Sequence, residues 1–140
     1  MPTAPIALVR EFMTTCPHTI EGDAKLSLAR AKMIELKARH LPVVFDGRLV
    51  GIVSDRDVEL CESLLVDTPA RSDLPTVKEA MTERVFTCGP DAHLHAVAAD
   101  MAQQRIGSAV IVDPDHPTKI VGVFTTTDAL RALAKYAPQE

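Results

Sequence analysis

The chain has 140 residues and is 46% hydrophobic but only 4% aromatic, with no Trp, so aliphatic side chains must fill any core. A formal net charge of −4 lacks the basic footprint of a nucleic-acid binder, and no apolar run reaches the ~20 residues of a membrane span. The N-terminus has no signal-peptide pattern, and Cys16, Cys61 and Cys88 are far apart and odd in number, which reads as reduced thiols in a cytoplasmic protein.

Residues 1–8 read as a tail, and Val9 to Thr14 lead into a short extended stretch at His18-Thr19-Ile20. Asp23 is placed to cap a helix over 24–39, in which Leu26, Ala29, Met33 and Leu36 recur as an apolar stripe. Leu41 to Phe45 reads as a buried strand, Asp46-Gly47 as a tight hairpin turn and Leu49 to Ser54 as the returning strand, with a helix following over 55–65. Residues 67–75 are polar, carry Pro69 and Pro75, and read as a linker.

The order then repeats. Val77, Met81, Thr82, Thr87, Asp91, Leu94 and Met101 stand 68 residues after Val9, Met13, Thr14, Thr19, Asp23, Leu26 and Met33. Strand Ala109 to Val112 matches Leu41 to Val44, and the hairpin loop at 113–118 is longer by three, so the offset becomes 71 at Gly51/Gly122 and Asp57/Asp128. Hairpin tips tolerate such insertions. The chain is an internal duplication, with repeats at 9–66 and 76–137. Each half is marginal in size for independent stability. The expected fold is therefore α/β (α+β), two β-α-β-β-α repeats packed pseudo-symmetrically into one compact unit.

The stretch Gly51-Ile52-Val53-Ser54-Asp55-Arg56-Asp57 has a twin in Gly122-Val123-Phe124-Thr125-Thr126-Thr127-Asp128. Each puts a hydroxyl and a carboxylate three residues apart at a strand-to-helix corner. Helix N-termini present unpaired N–H groups that suit a phosphate, and the carboxylate can accept hydrogen bonds from sugar hydroxyls. The same spacing also fits a capping box with Asp for Glu, which needs no ligand. No nucleophile–base set is arguable, so an enzyme is disfavoured. His93 and His95 point apart on a helix, and Asp113, Asp115 and His116 read as surface turn chemistry rather than a metal site.

Two such repeats, each with an N-terminal Met-Thr, a strand like Leu41-Pro42-Val43-Val44 and a Gly-apolar-apolar-Ser/Thr-x-x-Asp corner, resemble a tandem CBS-domain pair, or Bateman module, from about Val9 to Tyr136. The resemblance implies a regulatory module for an adenosine ligand (AMP, ADP, ATP or S-adenosylmethionine) held in clefts between paired repeats, with no cofactor and no catalysis. It implies that Asp57 and Asp128 hold ribose hydroxyls and that Ser54, Arg56, Thr125 and Thr127 lie near phosphates. Adenine would meet Ile52, Val123, the segments around His18 and Phe86, and the corners at 38–40 and 106–108. Arg56 gives the first site a positive charge that Thr127 does not give the second. The family further implies a homodimer. With no residues left for an effector domain, a stand-alone module would act in trans on a partner. The alternative is a ligand-free interaction scaffold.

Overall fold

The structure, a computed structural model, describes residues 7–15, 18–64 and 75–136. In chain order, a 3-10 turn (Val9–Glu11) and β1 (Thr14–Thr15) precede β2 (Ile20–Glu21), α1 (Leu26–Leu36), β3 (His40–Phe45), β4 (Arg48–Ser54) and α2 (Asp55–Leu64). A short helix α3 (Val77–Ala80) then leads to β5 (Thr87–Cys88), α4 (Leu94–Gln104), β6 (Ser108–Val112), β7 (Ile120–Thr125) and α5 (Thr126–Tyr136). The β-α-β-β-α order occurs twice, as the sequence pattern requires. Most of the 67–75 linker lies outside the described residues.

The chain forms two compact units whose membership crosses the repeat boundaries. One holds residues 18–64 with 75–85, and the other holds 86–136 with 7–15. The lead-in to each repeat thus packs in the unit built on the other repeat. In the first unit β2 runs parallel to β3, and β3 pairs antiparallel with β4. Thr82 then bridges the outer edge of β4: its N–H donates to Ile52 O at 2.8 Å, and Ile52 N–H donates back to Thr82 O at 2.9 Å. In the second unit β5, β6 and β7 repeat this arrangement, and β1 pairs with the outer edge of β7, Thr14 opposite Val123. An edge strand that would otherwise offer bare N–H and C=O groups is covered in both units.

This crossing explains the motif glycines. A Cβ on Gly51 would lie 2.6 Å from Met81 Sδ and 2.8 Å from Thr82 O, and one on Gly122 would lie 2.6 Å from Met13 Sδ and 3.0 Å from Thr14 O. Only glycine admits the Met-Thr segment over the strand. Beneath it, Val77 joins the first unit's core with Leu41, Val43 and Val53, and Val9 joins the second's with Ala109, Ile111 and Phe124. Val9 and Val77 are fully buried, a contribution of roughly 1.5–3 kcal/mol each.

The hairpin turn is as expected: Asp46 and Gly47 have φ of 54° and 74°, the two positive values a type I′ turn requires, and Phe45 pairs with Arg48. Asp23 does not cap α1. The helix starts later, at Leu26, whose N–H donates to Pro75 O at 2.9 Å. Likewise Leu94 N–H at the start of α4 donates to Ala7 O at 2.9 Å. Each first orphan donor is met by backbone from a lead-in segment, so no side-chain cap is needed.

Candidate functional site

Both corners close through the same box. At the first, Ser54 N–H donates to Asp57 Oδ2 at 2.9 Å and Asp57 N–H donates to Ser54 Oγ at 3.1 Å. At the second, Thr125 N–H donates to Asp128 Oδ2 at 2.9 Å, its hydroxyl to the same oxygen at 3.2 Å, and Asp128 N–H to Thr125 Oγ1 at 3.4 Å. The capping reading of the motif is realised in both copies. The question for function is what each carboxylate and each helix end has left to offer.

The first helix end offers less backbone than its sequence promises. Asp55 N–H donates to Arg39 O at 2.9 Å, Arg56 N–H to Asp55 Oδ1 at 2.9 Å, and Asp57 N–H to Ser54 as above. All three leading donors are already taken, which leaves side chains to meet an anion here, the exposed Arg56 among them, which has no ion pair among the described residues. The Asp57 carboxylate is half-buried, and its Oδ1 has no partner among the described residues. A carboxylate oxygen accepts up to two hydrogen bonds, which suits vicinal hydroxyls.

The second corner differs at each of these points. Thr126 N–H and hydroxyl both donate to Gly107 O, at 3.1 and 3.2 Å, so residue 126 has no carboxylate for the Thr127 N–H. Asp128 is buried, 2% exposed, and its Oδ1 accepts from Arg131 Nη2 one helical turn on. Sequence reasoning credited this corner with hydroxyls alone and missed Arg131, although the i,i+3 spacing of Asp128 and Arg131 was the available signal.

The other expected residues divide between the units. Ile52 and Val123 are buried, with 9% and 6% exposure, and face the crossing segments through their backbone pairing. His18 is exposed just before β2 in the unit of Ser54. Phe86 is half-buried in the unit of Thr125, packed on its core, and its carbonyl accepts from Val110 N–H at 2.8 Å. The first unit also brings His40 opposite Ser54 on β3. Burial holds its imidazole below the ordinary value of 6.5, Asp55 and Asp57 pull it back up, and Arg39 lowers it. A neutral imidazole beside Ser54 offers one donor and one acceptor. The matching position in the second copy is Ser108, opposite Thr125.

Among the described residues no group of three or more His, Cys, Asp or Glu is placed to hold a metal ion, and no helix is long and apolar enough to cross a membrane. Asp113 instead accepts from Asp115 N–H at 2.8 Å, a local turn. Desolvation pushes the Cys88 thiol up to about 11, so it is not a ready nucleophile at neutral pH. Cys16 lies outside the described residues.

Comparison with known proteins agrees with this architecture. The profile of the CBS domain matches residues 9–59 and 77–135. The homoserine O-acetyltransferase of Methanosphaera stadtmanae is 30% identical over 121 residues, covering 86% of this chain and 23% of that protein. The chain thus spans under a quarter of that relative's length. Among solved structures, the CBS domain pair of protein MJ0100 in complex with 5′-methylthioadenosine and S-adenosyl-L-methionine is similar at a TM-score of 0.80 and 27% identity, covering 94% of this chain and 98% of that one. CBSX2 in complex with AMP is similar at a TM-score of 0.71 and 25% identity, with 94% and 98% covered.

Proposed function

This chain belongs to the CBS domain family as a tandem pair of its repeats, and from that premise we propose that it is a regulatory module binding an adenosine-containing ligand, AMP, ADP, ATP or S-adenosylmethionine. The observation that carries the reading is at the first motif. Among the described residues Asp57 Oδ1 has no partner, and Arg56, its neighbour in sequence, has no ion pair. A carboxylate that can accept from a ribose diol next to a cation that can fork onto a phosphate is a complementary pair for a nucleotide. Ser54 fixes the carboxylate, and Ile52 and His18 lie in the same unit. Thr125, Thr127, Asp128, Val123 and Phe86 form the corresponding set in the other unit, with a carboxylate that is already engaged. The ligands named with MJ0100 and CBSX2 support the adenosine class and leave its member open.

Occupancy would be passed to a partner protein, with the module itself paired as a homodimer. What favours pairing is exposed apolar surface: Leu130 and Leu133 on α5 are 59% and 62% exposed, and Leu60 and Leu64 on α2 are 61% and 72% exposed. A second reading, a ligand-free scaffold, is favoured by one observation: in both copies the hydroxyl and the carboxylate already serve as a capping box. Titration calorimetry with AMP, ATP and S-adenosylmethionine separates the two. Binding that Asp57→Ala weakens supports the module. Absence of heat with all three, alongside an unchanged melting temperature, supports the scaffold.

A further inference from the structure

We infer that Arg131 is a specificity-determining residue of the second motif: it occupies the oxygen of Asp128 that the first motif leaves open in Asp57, and so sets the second motif's affinity for a ribose-bearing ligand below the first's. The inference rests on the reading of the two aspartates as ribose acceptors. Its ground is a difference between two copies that close the same box. Both aspartates give Oδ2 to the backbone N–H of the preceding hydroxyl residue. Asp57 Oδ1 then has no partner among the described residues, while Asp128 Oδ1 receives Arg131 Nη2. The position equivalent to Arg131 in the first copy is Leu60, which cannot donate.

The arrangement has the form of a latch. The Asp128 side chain is 3% exposed and the Arg131 side chain 64%, so the carboxylate is reached by displacing a solvated side chain rather than by opening the core. A diol that takes Oδ1 must displace the guanidinium, exchanging a bond between two ions for bonds in which only the acceptor is charged. The ligand pays that difference at the second motif only. The first motif binds with its acceptor already open.

The test isolates the second motif in an Asp57→Ala background and measures AMP and S-adenosylmethionine binding by titration calorimetry. Arg131→Leu, which installs the first copy's residue, is expected to tighten binding about tenfold, and Arg131→Gln, an exposed and milder change, to tighten it less. Conversely, Leu60→Arg in the otherwise unaltered chain is expected to latch Asp57 and weaken the first motif about tenfold. Loss of fold cannot tighten binding, so a gain reports the latch itself. Unchanged or weaker binding in both Arg131 variants overturns the inference while leaving the adenosine reading intact. If the unaltered chain and every variant bind neither probe, the adenosine reading falls, and this inference falls with it.

Discussion

The two strand-to-helix corners share a scaffold and differ in what the scaffold leaves free. Gly51 and Gly122 are crossed by Met81-Thr82 and Met13-Thr14 at nearly the same distances, and Ser54–Asp57 and Thr125–Asp128 close the same box. Around that box the residues diverge: His40 against Ser108, Arg56 against Thr127, Leu60 against Arg131. Duplication has kept the residues that fold the corner and varied those around it. The lesson is that the recurring Gly-x-x-Ser/Thr-x-x-Asp pattern is first a folding pattern. Ligand chemistry is decided by the positions the pattern leaves unspecified.

If the scaffolds are equivalent, breaking them should cost the same. Gly51→Val and Gly122→Val each force a branched side chain into a methionine and a backbone carbonyl, and overpacking of this kind costs typically about 1–3 kcal/mol and occasionally more. We expect both at or beyond the upper end, read as a fall in denaturation midpoint. A gap between the two variants of more than about 1.4 kcal/mol, tenfold in the folding constant, would show that the asymmetry reaches the scaffold itself.

The aspartates should separate the corners next. Asp57→Ala removes an open charged acceptor worth roughly 1.5–3 kcal/mol, so ligand affinity falls about ten- to hundredfold, with about 1 kcal/mol of stability lost through the cap. Asp128→Ala should do the reverse. It strips a buried acceptor from Thr125 and Arg131, costing about 1–3 kcal/mol of stability, with little effect on the ligand bound at the first motif. Calorimetry for affinity and urea denaturation for stability give the four values. Equal ligand losses in both variants would erase the proposed ranking.

Much of this contrast was legible in the sequence, and the part that was not has a physical reason. The duplication, the element order, the Asp46-Gly47 turn and the Gly51 and Gly122 motifs follow from local pattern. So does the loss of positive charge from Arg56 to Thr127. The pairing of each Met-Thr lead-in with the unit of the other repeat was not legible. Met13 is near Gly122 only through folding, and residue spacing carries no sign of it. The same holds for α1 and α4, whose first N–H groups are met by Pro75 and Ala7 carbonyls, where the sequence pointed to Asp23 as the cap of α1. Open N–H donors at the first corner were expected from helix geometry, but Arg39 O and Asp55 Oδ1 compete for them successfully. Arg131 was legible as an i,i+3 partner of Asp128, although it lies beyond the repeated motif, where the two copies have no residue in common.

A smaller effect tests Arg56 directly. With the leading backbone donors of α2 taken, its guanidinium is placed on the first turn of α2 and can meet a phosphate by a charge-assisted bond. Arg56→Ala should therefore weaken ATP or AMP binding by up to about tenfold and leave adenosine nearly unchanged. Thr127→Ala should alter neither. A loss of adenosine binding as large as the loss of ATP binding would move Arg56 from the phosphate to the nucleoside.

The smallest expected effect is the pH response of the first corner. His40 is held below 6.5 chiefly by burial, with Asp55 and Asp57 opposing and Arg39 adding to the depression. Its proton is thus bound less readily in the folded state than in the unfolded one. Where the unfolded chain binds more protons, stability rises with pH. The penalty is therefore absent well above 6.5 and grows as pH falls below 6.5 toward the depressed folded value. Once both states are protonated it changes no further. His40→Ser, which copies the second corner, should remove this dependence and flatten the stability profile between neutral and mildly acidic pH. Asp57→Ala removes one of the two carboxylates that stabilise the imidazolium, so it should push the His40 titration, followed by its ring-proton chemical shift, further down. An unchanged titration in Asp57→Ala would mean that the Asp57 charge does not act on His40, and the two groups would have to be treated as separate features of the corner.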